Sequence, residues 1–237
     1  MNSPIAIVGP GRLGRSAAHI LQTKGIPHVL LGRGQPIPEA PVTWLTVPDR
    51  EIELAAESVP QGGVVLHASG AMDTSPLRRH QHAGSLHPLM TFPGPEFGLP
   101  TEDRIPAAVA GDPAAIQAAT SLANTLGFTP FEVPGNRALY HAAAVTSGNF
   151  ASLLLVEAGR MLQAAGVPEA ETGPLLMPLA IASIRSAAQH GAAALTGPIA
   201  RGDEAVIQSH TNALKEMDPE LADLYRALAA ATRRMKS

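Results

Sequence analysis

Short apolar runs closed by glycine or proline fill the first half of the chain, and long alanine- and leucine-rich stretches at helical spacing fill the second. Ile5-Ala6-Ile7-Val8 is apolar on both faces, as a parallel strand buried between helices must be, and Gly9 ends it. The spacing then predicts a helix over 13–24 closed by Gly25, a strand over 28–31, a proline-rich loop over 34–41 and a strand over 42–47 that carries Trp44. Pro48-Asp49 opens a helix; further strands are predicted over 64–67, 107–110 and 128–133, with a helix over 113–126. This is a β-α-β series. From about Asn136 the pattern becomes helical throughout, over 138–165, 173–190, 203–215 and 218–234, with Asp203 and Asp218 as N-caps and Pro219 at a first helical position. Such segregation predicts two packing units, one over residues 1–134 and an all-α one over 135–237.

Apolar residues make up 45% of the 237, enough for a substantial core. A formal net charge of −3, with both signs interspersed, leaves no basic face for nucleic acid or an anionic membrane, so neither is an expected partner. The absence of cysteine excludes disulfides, thiolate catalysis and cysteine-ligated metal centres. Met1-Asn2-Ser3-Pro4 puts no basic region ahead of the first apolar run, which is short; a cytoplasmic protein is expected.

Gly9-Pro10-Gly11-Arg12-Leu13-Gly14 fits the dinucleotide pattern G-x-G-x-x-G, between a predicted strand and a predicted helix as that pattern requires. Gly9 permits the tight turn, Gly11 lets a pyrophosphate approach the backbone, and Gly14 lets helix and strand pack closely. The helix start at Arg12 and Leu13 offers unpaired N–H groups to phosphate. Where an NAD site would carry a carboxylate, at the end of the second strand, the chain has Leu31-Gly32-Arg33. A guanidinium without a neighbouring carboxylate suits the 2′-phosphate of NADP, so NADP (NADPH) is the expected cofactor. The fold expected is α/β, an N-terminal Rossmann-type parallel sheet domain followed by an all-α C-terminal domain.

The glycine turn, Leu45-Thr46-Val47-Pro48-Asp49-Arg50-Glu51-Ile52 and the helical second half together resemble the superfamily of 6-phosphogluconate dehydrogenase, ketopantoate reductase and pyrroline-5-carboxylate reductase. More narrowly, Gly84-Ser85-Leu86-His87-Pro88-Leu89, Tyr140-His141-Ala142-Ala143-Ala144 and Leu195-Thr196-Gly197-Pro198-Ile199-Ala200-Arg201-Gly202-Asp203 are similar to uncharacterised Rossmann-like oxidoreductases with a helical C-terminal domain of unknown function. The resemblance implies that Thr46, Val47, Pro48 and Ser69 flank the nicotinamide half of the cofactor, and that a homodimer forms through the helical domain. It also implies hydride transfer to a small keto or imino acid in a cleft between the domains.

That chemistry needs a polar group at the reacting carbon, and His87, Ser147 and Asn149 are the catalytic candidates. His141 and Arg201 are the expected substrate contacts, Arg201 as a bidentate clamp on a carboxylate. Val145-Thr146-Ser147-Gly148-Asn149 resembles the Ser-Gly stretch of pyrroline-5-carboxylate reductases and the Lys-x-x-x-Asn pair of hydroxyacid dehydrogenases, but the lysine position holds Val145. The missing lysine keeps a non-catalytic NADP sensor as an alternative. His67, His80, His82 and His87 raise another, a histidine-ligated metal protein, although no metal site is expected because no carboxylate lies locally to complete the set.

Overall fold

The computed structural model describes residues 4–98, 100 and 104–236; Met1, Asn2 and Ser3, used above in judging a leader, lie outside them. Strands β1 (Ile5–Val8), β2 (His28–Leu31), β3 (Val42–Leu45), β4 (Val64–His67), β5 (His82–Pro88), β6 (Ile105–Gly111) and β7 (Phe128–Glu132) form one seven-stranded sheet in the order β2-β1-β3-β4-β5-β6-β7. All neighbours run parallel except β5 and β6. The helices are α1 (Arg12–Thr23), α2 (Ile52–Glu57), α3 (Pro113–Leu126), α4 (Arg137–Val145), α5 (Ala151–Ala164), α6 (Glu169–His190), α7 (Gly197–Arg201), α8 (Glu204–Met217) and α9 (Pro219–Lys236). This is the expected Rossmann-type sheet followed by a helical region.

Both faces of the sheet are covered, which is why its strands are continuously apolar rather than alternating. Ile7, Trp44, Leu66 and Leu86 pack with Leu21 of α1 and Leu122 of α3, while Val8, Leu45 and Val65 pack with Ile52 and Ala56 of α2. The sequence pattern misses β5, because Gly84-Ser85-Leu86-His87-Pro88 neither alternates nor carries a β-branched residue. It is extended because β4 and β6 pair with it on either side. Gly84 admits the neighbouring elements closely, since a Cβ there would lie 2.5 Å from the Ala110 carbonyl and 2.8 Å from the Ala115 side chain.

The chain divides into compact units between Phe150 and Ala151, later than the change of pattern near Pro134. The reason is α4, whose Arg137 donates to the Ser69 carbonyl at 3.1 Å and whose Tyr140 bonds His87, so this helix belongs with the sheet. In the helical unit, Leu214 of α8 packs with Leu221 and Ala222 of α9. Asp203 and Asp218 cap α8 and α9 as expected from sequence.

Strand order places β2 and β3 on opposite sides of β1, so the carboxyl ends of β1 and β3 form the switch point where open sheets bind ligands. Gly9 has φ +112°, and a Cβ there would sit 2.8 Å from the Thr46 carbonyl oxygen; a Cβ on Gly14 would sit 2.1 Å from the Gly9 carbonyl oxygen. Gly11 is different: the nearest atom to its Cβ position is 4.0 Å away. Gly14→Ala should therefore lower stability by about 3 kcal/mol or more, since rigid backbone must move, whereas Gly11→Ala should stay within about 1 kcal/mol of the parent. Urea denaturation of the two variants checks this; equal losses would contradict the packing described.

Candidate functional site

The turn after β1 is held from β3. The Thr46 hydroxyl donates toward the Val8 and Gly9 carbonyl oxygens at 3.1 and 2.8 Å, so this side chain braces the loop and has its hydrogen spent there. Val47 packs beneath the same turn, with Cγ1 2.9 Å from the Gly9 Cβ position, and exposed Pro48 leads into the helical turn Asp49–Glu51. Gly11 is the N-cap of α1 with no side chain to cap it, and no acidic residue occupies the first turn. The N–H groups of Arg12 and Leu13 thus open a helix whose dipole favours an anion, with exposed Arg12 at its mouth.

Arg33 is exposed beyond β2, but the expectation that no carboxylate is near needs correction. Glu51, brought across from the end of β3, pairs with Arg33 at 2.8 Å. The sequence separates them by a strand and a loop, so only the sheet order reveals the contact. With the arginine side chain 84% exposed, the pair is weak.

A second polar cluster lies where β4 and β5 meet α4. His67 is fully buried; its Nδ1 accepts from the Ser69 N–H at 3.2 Å, so Nε2 carries the proton and donates to the Asp73 carbonyl at 2.9 Å. Burial lowers its pKa and keeps it neutral. The Ser69 hydroxyl donates to Asp49 at 2.7 Å and accepts from the Ala71 and Met72 amides, which makes it the cap of the turn after β4. His67 and Ser69 are therefore structural supports of the loop beside the site.

His87 is the centre of the cluster. Its Nδ1 lies 2.7 Å from the Tyr140 hydroxyl, and its ring meets that of His141 edge-on at 6.0 Å between centroids. Gly70 makes room for both imidazoles, since a Cβ there would be 2.8 Å from each. Burial first, then the like charges that His141 and Arg137 would present, push the His87 pKa down to about 4, while burial raises that of Tyr140. At neutral pH the pair is an imidazole and a phenol joined by one hydrogen bond, able to pass a proton between them.

The other candidates fall elsewhere. Ser147 and Asn149 lie on a wide π-helical turn, Thr146–Phe150; Ser147 donates to the Ala144 carbonyl at 3.3 Å, and among the described residues no hydrogen bond joins either side chain to His87. Both are exposed, and π-turns of this kind recur at functional sites. Arg201 ends α7 in the helical unit and is exposed. The histidines do not converge on a metal: His80 bonds the Ala56 carbonyl and His82 faces Asp112, and among the described residues no group of three potential ligands occurs. Tyr140 and Arg137 escaped the sequence reading as site residues. Tyr140 stood beside His141 in a quoted motif, but its partner is 53 positions away.

His87 binds a proton more weakly in the folded chain, about 4 against 6.5, so between those values the unfolded chain takes up the proton and the native one does not. Its contribution is complete above about pH 6.5 and is lost as pH falls towards 4. Thermal midpoints should drop between pH 7 and pH 5, and His87→Gln should flatten that drop; an unchanged slope would show that His87 is not held neutral.

No curated protein sequence matches this chain. Among solved structures, protein TM1727 from Thermotoga maritima is 23% identical with a TM-score of 0.73, and protein BF3122 from Bacteroides fragilis is 20% identical with a TM-score of 0.81; each match covers 98% of both chains. A reductive aminase from Aspergillus terreus, in complex with NADPH and ethyl levulinate, is 16% identical with a TM-score of 0.71, over 99% of this chain and 94% of that one. These similarities are of fold. The family model for a domain of unknown function, DUF2520, matches residues 105–232, and the chain belongs to that family.

Proposed function

We propose that this protein is an NADPH-dependent reductase of a small keto or imino acid. The observation that carries the reading is the pairing, within one sheet unit, of a phosphate turn at Gly9–Gly14 with the His87–Tyr140 hydrogen bond near the carboxyl ends of β4 and β5. The turn fits a dinucleotide: Gly11 leaves its approach open and the start of α1 is uncapped by any side chain. Gly9, Gly11 and the amides of Arg12 and Leu13 hold the pyrophosphate, and Arg33 takes the 2′-phosphate in exchange for Glu51. The bound nicotinamide supplies the hydride. Tyr140 donates its phenolic proton to the substrate oxygen or nitrogen, and the neutral His87 relays the replacement, giving its Nδ1 proton to the phenolate oxygen as Nε2 takes one up from water. The structural relative in complex with NADPH and ethyl levulinate, a keto ester, supports the cofactor and a carbonyl substrate. A nucleotide sensor would bind the cofactor in the same way, but it would have no use for a half-buried proton-transfer pair.

We further propose a cytoplasmic homodimer formed through the helical unit. Leu153 and Val156 of α5 and Leu175, Leu179 and Ile184 of α6 are exposed in the single chain, apolar side chains that a second copy would cover. The helical run Arg137–Ala164, which contains an 18-residue window of mean hydropathy 1.3, is by length and composition also apolar enough to cross a membrane, but Arg137 and Tyr140 at its start bond the sheet.

Trp44, the only tryptophan, is buried in β3 and reports cofactor binding by energy transfer to reduced nicotinamide. NADPH should quench it at concentrations about tenfold or more below those needed for NADH. Arg33→Asp should abolish that preference, and Glu51→Gln should sharpen it by freeing Arg33. Equal or absent quenching by the two cofactors would overturn the assignment. Tyr140→Phe should lower turnover by about a hundredfold or more with NADPH binding unchanged; a variant retaining full turnover would remove Tyr140 from the chemistry.

A further inference from the structure

A cavity of about 230 Å³ is lined among others by Arg137 of α4, Ser85 of β5, and Ala110 and Gly111 of β6. Two of these carry buried polar atoms without partners among the described residues: Nε and Nη1 of Arg137, and Oγ of Ser85. Only Nη2 of Arg137 is bonded, to the Ser69 carbonyl, and no described carboxylate lies within ion-pair distance of it. Buried polar atoms without partners are unfavourable, and such atoms from two elements on one cavity mark the place of a missing acceptor.

We propose that this cavity receives the carboxylate of the substrate, with Arg137 as the charged clamp and Ser85 as a second donor. The inference rests on the reductase reading and narrows its substrate to acids whose reducible carbon lies next to or near the carboxylate. Arg137 and Tyr140 stand three residues apart on one face of α4, so the group that holds the acid and the group that delivers the proton belong to the same helical turn. Burial lowers the pKa of Arg137, a strain that an anion relieves. Asp73 also lines the cavity, its Oδ1 engaged by the Ser75 N–H and hydroxyl; its negative charge disfavours a phosphate dianion more than a carboxylate monoanion. This assigns to Arg137 the clamp that the sequence pattern placed at Arg201.

The test compares oxamate, an unreactive 2-oxo carboxylate, with its neutral isostere oxamide by calorimetry on the full chain, with and without NADP. Oxamate should bind about tenfold or more tightly than oxamide. Arg137→Gln should remove that difference while leaving NADPH quenching of Trp44 unchanged, Ser85→Ala should weaken oxamate a few-fold, and Arg201→Gln should have no effect. The comparison of the two ligands on the parent protein holds even if the Arg137 variant fails to fold. Equal binding, no oxamate binding at tens of millimolar, or sensitivity to Arg201 instead of Arg137 would overturn the proposal. Quenching by NADPH without oxamate binding would sink the anion site and spare the reductase reading; oxamate binding without any cofactor response would do the reverse.

Discussion

The start of α1 lies against the end of β1 with no side chain between them, and the ligand-binding end of the sheet depends on that contact. A methyl group on Gly14 would overlap the Gly9 carbonyl, and one on Gly9 would meet the backbone of Thr46. Backbone therefore packs on backbone at the switch point, where β2 and β3 diverge from β1. The Thr46 hydroxyl closes the arrangement by bonding the turn directly. What remains open is the approach to Gly11 and the first amides of α1, so the same packing that joins helix to strand also leaves a place for phosphate.

The polar cluster near α4 follows a different logic. His67 and Ser69 spend their hydrogen bonds on the loop after β4, which fixes Gly70, and the absence of a side chain at Gly70 admits His87 and His141. The α4 helix is docked by Arg137 on the Ser69 carbonyl and by Tyr140 on His87. Burial then keeps His87 neutral, so its bond to Tyr140 joins two uncharged groups. Support and chemistry are thus divided among neighbouring residues of similar type.

Apolar periodicity and glycine placement were enough to read most of the sheet, the helical second half and the phosphate turn from the chain itself. These features rest on local rules: a strand buried on both faces is apolar throughout, and a helix that touches a strand end needs glycine there. Asp203 and Asp218 were legible as caps for the same reason, since each acts within three residues of itself. What the sequence could not determine were contacts made across the sheet. Strand β5 exists because β4 and β6 pair with it; Glu51 reaches Arg33 because β2 and β3 flank β1; His87 meets Tyr140 because α4 folds back onto β5. Only the tertiary structure decided those pairings, because strand order and helix docking depend on the packing of the whole unit, and that is why His87 was legible as a candidate while its neighbours Tyr140 and Arg137 were not.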